Sequence, residues 1–253
     1  MEKSSEIKFG NFHLWYNHPH DIAAIIESYV LNVYRIHNIK NGSIVVDVGA
    51  GIGEFAVLAS SMVGKHGTVI AIEPSPDDFS TMLINIKVNE CSNIIPVNAA
   101  VSNIKEKLAL TFKGKNFEVD ADTLSNIIYS TGVSVNKIRY LKMDIEGGER
   151  LVIPSSLEII RNIDYLSIEI HDGFSSELIP YMRNLGFQFK RIERNEYLLN
   201  TIKNVIAHPF CVYHLWKLFS STGENPGLMK ISSGIDISKS KELVVGLFYR
   251  ANL

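Results

Sequence analysis

The sequence is poor in cysteine and carries almost no net charge. Cys91 and Cys211 are its two cysteines among 253 residues, and their number and spacing exclude a disulfide framework and a cysteine-rich zinc site. We expect both to be separate thiols in a reducing compartment. The formal net charge is −2, which argues against a broad basic surface for nucleic acid.

Long apolar runs are also missing. No stretch reaches the roughly 18 apolar residues that a membrane-spanning helix needs. The first residues, MEKSSEIKFGNF, lack the apolar core of a signal peptide. We therefore expect a cytoplasmic protein with no membrane span. Hydrophobic residues nevertheless make up 46% of the chain, enough for the core of one large α/β domain.

From residue 43 onward, apolar runs of strand length alternate with helical patterns. We interpret as strands SIVVDV, TVIAI, IIPVNAA, IRYLKMDI, DYLSIEI and FQFKRIE, with KLALTF as a short additional strand and KELVVGLFY as the last strand. Short buried strands separated by helices predict a mainly parallel sheet covered on both faces.

The same patterns divide the chain into four parts. Residues 1–42 are predicted as an N-terminal helical extension, because apolar residues follow helical spacing from Asp21 to Tyr34. Residues 43–199 form the core, and residues 242–253 its last strand. Between them, residues 200–241 form an insertion or cap, which we expect to pack against the sheet. A substrate lid or a homodimer contact is the alternative.

Three glycines stand close together where the first buried strand gives way to a helix. Gly49, Gly51 and Gly53 leave a turn without Cβ atoms, so that a ligand can approach the backbone N–H groups at the helix start. Glu73 closes the next strand, where a carboxylate can accept both hydroxyls of a ribose. Together these residues predict a nucleoside-containing cofactor at the carboxyl ends of the strands.

The residue after the third glycine favours one class of cofactor. A dinucleotide loop, G-x-G-x-x-G, would place glycine at the position of Glu54. A carboxylate there would repel a pyrophosphate, whereas it suits the cationic S-adenosylmethionine. An NAD-dependent oxidoreductase, which shares the fold signature, is the alternative.

At these segments the sequence resembles the class I S-adenosylmethionine-dependent methyltransferases, and more closely their FkbM-type family. DVGAGIGEF, IEPSP and VNAAVSN are similar to motifs of the class, and the FkbM-type features are IEPSPDDFSTMLINIKVN, DTLSNII, YLKMDIEGGE and SIEIH. The resemblance implies a Rossmann-like, doubly wound α/β fold with a mainly parallel seven-stranded sheet and an antiparallel last strand. It implies S-adenosyl-L-methionine as cofactor, with the binding residues Asp47, Gly49, Gly51, Gly53, Glu54, Glu73, Pro74, Ser75, Asn98, Ala99 and Asp144.

A second group of polar residues follows the strands IRYLKMDI and DYLSIEI. Asp144, Glu146 and Glu149 come after the first, and His171 ends the second, so the carboxyl edge of the sheet brings them together. We predict His171 or Glu146 as the base that takes the proton of an alcohol, and Asp144 as the residue that positions cofactor or substrate. No metal ion is expected. Mg²⁺ or Ca²⁺ on these carboxylates is the alternative, although no dense D-x-D-x-D pattern is present.

These observations predict a methyltransferase that acts on a hydroxyl of a small molecule or glycan, such as a sugar, a glycolipid or a natural product. The position that carries an N/D-P-P-aromatic motif in many base-nitrogen methyltransferases reads DIEG here, so a nucleobase target is disfavoured. The basic residues Lys113 and Lys115 are expected to be solvated. The alternatives are an RNA ribose 2′-O-methyltransferase, an NAD-dependent oxidoreductase and a non-catalytic cofactor-binding protein.

Overall fold

Short apolar runs form most of the strands of this protein, and the segments between them form the helices. The structure, a computed structural model, describes residues 5–145, 147–171, 173–191, 194–221 and 244–250. Its strands are Ser5–Phe9 (β1), Phe12–Tyr16 (β2), Ile44–Val48 (β3), Thr68–Ile72 (β4), Ile94–Val97 (β5), Ala100–Val101 (β6), Glu106–Phe112 (β7), Lys115–Asp122 (β8), Ile138–Met143 (β9), Tyr165–Ile170 (β10), Phe187–Arg191 (β11) and Val244–Arg250 (β12). Its α-helices are Pro19–Ile25 (α1), Glu54–Val63 (α2), Pro76–Val88 (α3), Leu124–Ser130 (α4), Glu149–Ser155 (α5), Leu157–Ile160 (α6), Ser175–Asn184 (α7), Arg194–Ala207 (α8) and Pro209–Ser221 (α9).

Seven strands form the central sheet, in the order β11-β12-β10-β9-β3-β4-β5. The five strands from β10 to β5 pair in parallel, whereas β12 runs antiparallel to both β10 and β11. This confirms the predicted mainly parallel sheet with an antiparallel last strand. Because the parallel strands all end at one edge, the residues that follow them share that edge.

Both faces of the sheet are buried. Val46 and Val48 of β3 pack into one apolar cluster, and Val45 of the same strand packs into another on the opposite face. Alternate residues of a strand point to opposite faces, so the two clusters are the two layers of core between the sheet and its helices. None of the helices in the described ranges is long and apolar enough to cross a membrane.

The N-terminal segment corrects the expectation of a helical extension over residues 1–42. It begins with an antiparallel hairpin of β1 and β2, in which Gly10 turns the chain at a φ of +57°. Ile7 and Phe9 of β1 are buried with the two-residue period of a strand, and Leu14 of β2, which pairs with Ile7, is buried beside them. The helix predicted between Asp21 and Tyr34 is α1 followed by a π-helix over Ile26–Leu31.

The segment after β5 also differs from the expectation. The predicted strand IIPVNAA divides into β5 and β6, and the predicted strand KLALTF is one arm of a β-hairpin formed by β7 and β8. Together β6, β8 and β7 form a separate three-stranded sheet. Lys113 and Gly114, both with positive φ, make the turn between β7 and β8. The sequence analysis did not predict β8, because one face of this strand is solvated and its sequence KNFEVDAD is therefore largely polar.

The C-terminal part starts earlier than expected. The boundary placed between residues 199 and 200 falls inside α8, and α9 follows it directly after His208. Residues 222–243 of the predicted insertion lie outside the described residues. The predicted last strand over residues 242–253 is observed as β12.

One buried amide joins the N-terminal hairpin to the core. The side chain of Asn85 in α3 accepts a hydrogen bond from the Trp15 nitrogen and donates to the carbonyl oxygens of Trp15 and Ile52, at 2.6, 3.0 and 2.8 Å. Ile52 belongs to the glycine-rich turn after β3. The same amide therefore fixes both the hairpin and that turn.

We expect Asn85→Ala to lower the free energy of unfolding by about 3 kcal/mol, since one buried and two partly buried backbone groups lose their hydrogen bonds. Urea unfolding followed by circular dichroism measures the change. Asn162→Ala is the matched control, because that amide also donates two hydrogen bonds but does so at the surface. Equal losses in the two variants would contradict the assignment.

Candidate functional site

A cavity of about 490 Å³ opens at the carboxyl edge of β3, β4 and β9. The glycine turn after β3 and the residues that end β4 and β9 form its floor, and the hairpin of β7 and β8 forms one wall. His20, Asp21 and Ala24 of helix α1 also line it. The cavity therefore lies at the sheet edge where the glycines and Glu73 were expected to meet.

The three glycines of the turn are required for different reasons. A Cβ atom on Gly49 would lie 1.8 Å from the Asp144 carbonyl oxygen, and one on Gly53 would lie 2.7 Å from Cγ of Met82. These two glycines thus allow close packing of the protein against itself. Gly51, with φ +53°, lines the cavity, and the nearest atom to a Cβ there is Oε2 of Glu54 at 3.8 Å. Gly49 also lines the cavity, but Gly51 is the one of the three at which an added side chain would meet open space and not the protein itself.

Glu73 lies at the end of β4 with both carboxylate oxygens tied to backbone. Oε2 accepts a hydrogen bond from the Gly51 nitrogen at 2.7 Å, and Oε1 accepts one from the Ser75 nitrogen at 2.8 Å. Burial raises the pKa of Glu73 to about 7, and these two bonds oppose the shift. Since each carboxylate oxygen can accept a second bond, Glu73 keeps capacity for hydroxyl groups in the cavity.

Glu54 presents a polar atom without a partner to the same cavity. The residue is 4% exposed, and its Oε2 has no hydrogen bond within the part of the chain that the structure describes. Burial raises the pKa of Glu54 to about 7, against the attraction of Lys142. A buried acceptor of this kind is satisfied by a donor or cation from a ligand.

A lysine that the sequence analysis did not select lies beneath the glycine turn. Nζ of Lys142 in β9 is 3.1 Å from Oδ1 of Asp47 and donates to the Gly49 carbonyl oxygen at 2.6 Å. Burial raises the pKa of Asp47 to about 6 against the attraction of Lys142. Burial alone would lower the pKa of Lys142, but the carboxylates of Asp47, Asp144 and Glu54 raise it above its ordinary value. A lysine inside the apolar run YLKMDI is the signal that could have revealed this pair, because a buried lysine needs a counter-charge.

Asp144 is the predicted catalytic residue that the structure places on the cavity wall. The hydroxyl of Tyr34, from the N-terminal segment, donates to Oδ2 of Asp144 at 3.2 Å. Tyr34 also lines the cavity, and Nζ of Lys142 lies 5.1 Å from the centre of its ring. The sequence analysis did not select Tyr34, because its position beside β9 depends on the path of the N-terminal segment.

The other predicted catalytic residues are arranged differently. Nδ1 of His171 is 3.0 Å from Oε1 of Glu149, and neither residue is among the described residues that line the cavity. The same oxygen of Glu149 accepts long hydrogen bonds from the nitrogens of Ile145 and Gly147, at 3.4 and 3.3 Å. His171 thus contacts the residue that holds the turn after β9. Glu146, within that turn, lies outside the described residues.

The remaining predicted cofactor residues divide into two groups. Pro74, Ser75 and Ala99 line the cavity. Asp47, Gly53 and Asn98 are not among the lining residues: Asp47 is buried beneath the turn, and Asn98 is exposed. Asn98 donates to the carbonyl oxygens of Glu73 and Pro74, at 2.8 and 3.2 Å, and so fixes the segment that carries them.

The tip of the β7–β8 hairpin is anchored over the cavity by Lys113. Its Nζ lies 2.5 Å from Oδ1 of Asp21 in α1 and 2.7 Å from Oδ2 of Asp78 in α3, and the side chain is 13% exposed. The expectation that Lys113 is solvated is therefore wrong. Lys115, 64% exposed, agrees with that expectation. The hairpin also brings Leu108 and Phe117 to the cavity wall.

The described residues fit S-adenosylmethionine in three respects. Glu73 has acceptor capacity for two sugar hydroxyls, Gly51 leaves backbone open, and the unpartnered oxygen of Glu54 suits a cationic group. Apolar side chains of the hairpin supply a wall for a planar base. These features agree with the cofactor expected from the sequence.

Comparison with known proteins gives one family and several similar folds. The model of the methyltransferase FkbM domain matches residues 47–189. A curated protein called Methyltransferase 1, from Beauveria bassiana (strain ARSEF 2860), is 21% identical over 185 residues, which cover 60% of this chain and 71% of that protein. The crystal structure of P. horikoshii TYW2 in complex with MeSAdo has a TM-score of 0.50 at 14% identity and covers 99% of this chain and 73% of that one. A SAM-dependent methyltransferase from Aquifex aeolicus has a TM-score of 0.43 at 17% identity, over 69% of this chain and 90% of that one.

We expect Lys142→Met to destabilise the protein by about 3–5 kcal/mol, because it leaves the buried carboxylate of Asp47 without its counter-charge. Urea unfolding gives the value. Combining Lys142→Met with Asp47→Asn should recover part of the loss, since the double variant no longer buries an unpaired charge.

Lys107→Met is the matched control, because the Lys107–Asp120 pair is 73% and 80% exposed and contributes little. The assignment fails if the double variant is no more stable than Lys142→Met alone.

Proposed function

The chain belongs to the FkbM methyltransferase family, whose model matches more than half of it, and on this premise we propose that it methylates a hydroxyl oxygen of a sugar, a glycolipid or a natural-product-like small molecule. It is an S-adenosylmethionine-dependent methyltransferase. When bound, that cofactor supplies a methyl group on a positively charged sulfur that is ready to leave. The protein's own residues have to align the acceptor and remove its proton.

The proposal depends on one observation above all, the link between Glu73 and Gly51 beside an open cavity. Glu73 would hold the two ribose hydroxyls, and its bond to the Gly51 nitrogen sets the distance between the ends of β3 and β4. Glu54 would face the cofactor's ammonium group. Ser75 and Asn98 keep Glu73 and Pro74 in place through the contacts described above.

Asp144 is the group that we propose to receive or direct the acceptor hydroxyl. It lies on the cavity wall, Tyr34 donates a hydrogen bond to it, and the Lys142 ammonium lies near it. A carboxylate can accept a proton or a hydroxyl hydrogen bond. His171, through Glu149, would position the turn after β9 that contains Glu146. His171 and Glu146 remain the candidates for the base if Asp144 only positions the acceptor.

The acceptor class is tested with S-adenosylmethionine labelled in its methyl group. We would incubate the full chain with a panel of free sugars, glycolipids and hydroxylated aromatic compounds, with an RNA transcript in parallel. Label recovered as a methyl ether on a small molecule supports the proposal. Label found in the RNA ribose, and in none of the other compounds, would reject it.

Gly51→Val is expected to abolish measurable binding of S-adenosylhomocysteine, because the side chain would occupy the open side of the turn. Isothermal titration calorimetry measures the affinity. Gly132→Val is the matched control, since Gly132 also has a positive φ, +77°, but faces open space away from the cavity. If Gly51→Val bound as tightly as the wild type, the cofactor would have to lie elsewhere.

Asp144→Asn should lower kcat by roughly 10²–10⁴-fold, the usual contribution of a positioned base, whereas His171→Gln should lower it less. Steady-state rates on the acceptor identified by the panel, measured across pH, give the comparison. Asp120→Asn, which removes a surface carboxylate 80% exposed, serves as the control for lost charge. A larger loss in His171→Gln than in Asp144→Asn, with loss of the pH dependence, would make His171 the base.

A further inference from the structure

The C-terminal helices α8 and α9 carry an apolar surface that the rest of the described chain does not cover. On α8 the exposed residues are Leu198, Leu199, Ile202, Val205 and Ile206, which share one side of the helix by their spacing. The exposure reaches 78% at Ile206. Eight of the 15 large hydrophobic side chains that are exposed in the described residues belong to these two helices. Exposed apolar residues are therefore concentrated here and are not distributed evenly over the protein surface.

Helix α9, which contacts α8, carries three further exposed large hydrophobic side chains, all of them aromatic. Phe210, Tyr213 and Trp216 are 86%, 66% and 52% exposed and follow one another at intervals of three residues. Leu215, on the other side of α9, is buried against the N-terminal hairpin and α1. The helix is thus held to the protein by one side and presents aromatic rings on the other. We call the eight exposed residues of α8 and α9 the α8–α9 apolar surface.

After Glu196, which is paired with Arg35, the charged residues of the segment that carries this surface have one sign. From Tyr197 to Ser221 the sequence contains no aspartate or glutamate, although the chain has 27 acidic residues. Two lysines, Lys203 and Lys217, stand exposed among the apolar residues. The chain as a whole carries −2, so this segment is more positive than the average of the chain.

We propose that the α8–α9 apolar surface binds to the surface of an anionic phospholipid membrane. Helices that lie in a membrane interface combine a side rich in Trp, Phe and Leu with lysines that contact the headgroups, and amphipathic aromatic rings favour that depth. The helices have 14 and 13 residues, too short to cross a bilayer, so they lie on it. The inference does not depend on the acceptor proposed above.

The charges favour a membrane over a second copy of the chain. In a symmetric dimer formed by this surface, the lysines of the two copies would lie within one interface. No carboxylate within residues 197–221 could pair with them there. An anionic lipid surface supplies the missing negative charge, and each lysine near it contributes roughly a fivefold gain in binding.

The experiment is flotation of the purified full chain with vesicles of phosphatidylcholine, alone or mixed with phosphatidylserine. We expect binding to the mixed vesicles, weak binding to phosphatidylcholine alone, and a decrease as salt rises, because salt screens the lysines. Lys203→Gln combined with Lys217→Gln should lower the partition coefficient by about 30-fold. Phe210→Ser combined with Trp216→Ser should lower it by at least about tenfold.

Leu83→Ser combined with Ile84→Ser is the matched control, since both side chains are exposed to 43% on α3, outside the α8–α9 apolar surface. It should bind vesicles like the wild type, and circular dichroism should show every variant folded. Absence of binding to the mixed vesicles would overturn the proposal. So would a dimer in analytical ultracentrifugation that the Phe210/Trp216 variant dissociates while vesicles remain unbound, because the surface would then join two copies of the chain.

Discussion

The buried ammonium group of Lys142 balances the negative charge of the carboxylates around the cavity floor. In the register of β3 and β9, Asp47 lies opposite Lys142, and the same lysine bonds the Gly49 carbonyl oxygen of the glycine turn. Glu54 and Asp144 stand close enough to shift the pKa of Lys142 upward. Without that positive charge, the carboxylates at neighbouring strand ends would repel one another. The repulsion would be strong because the buried site has a low dielectric constant. The ion pair therefore permits acidic residues to collect at the cavity where we propose that the cofactor binds.

The site is completed by segments outside the part of the chain that the family model matches. Tyr34, which bonds Asp144, precedes residue 47, as does Asp21, which anchors the hairpin tip through Lys113. Arg35 fixes this N-terminal segment by bonding both oxygens of Glu196 and the carbonyl oxygens of Lys190 and Arg191. The family core thus supplies the edge of the sheet, and the flanking segments close the cavity above it. Proteins that share this core but differ in such flanking segments could therefore bind different acceptors.

The sequence predicted what depends on local pattern and missed what depends on long-range pairing. Apolar strands, the glycine turn and Glu73 are each readable from a few neighbouring residues, and the structure brings them to one cavity. The β1–β2 hairpin was missed because the two strands form a satellite cluster with α9, which adjoins them only in the folded chain. Lys113 resembled a surface charge, since its partners Asp21 and Asp78 are distant in sequence. Gly53 was predicted to contact the cofactor, but close packing against Met82 is enough to explain why the position is a glycine.

The acidity of the cavity is easier to explain by a ligand than by folding stability. Glu54 and Glu73 have pKa values near 7 in the folded chain, raised from 4.5 by burial. Because the folded-state value is the higher one, ionisation costs stability: the cost is absent below about pH 4.5, grows as pH rises, and is complete above about pH 7. A core that served only folding would gain by replacing Glu54 with an apolar residue of similar size. A cationic ligand reverses that balance, since it favours the ionised carboxylate and satisfies the unpartnered Oε2. Ionising the two glutamates thus costs stability at neutral pH, as expected of residues that we propose to bind the cofactor.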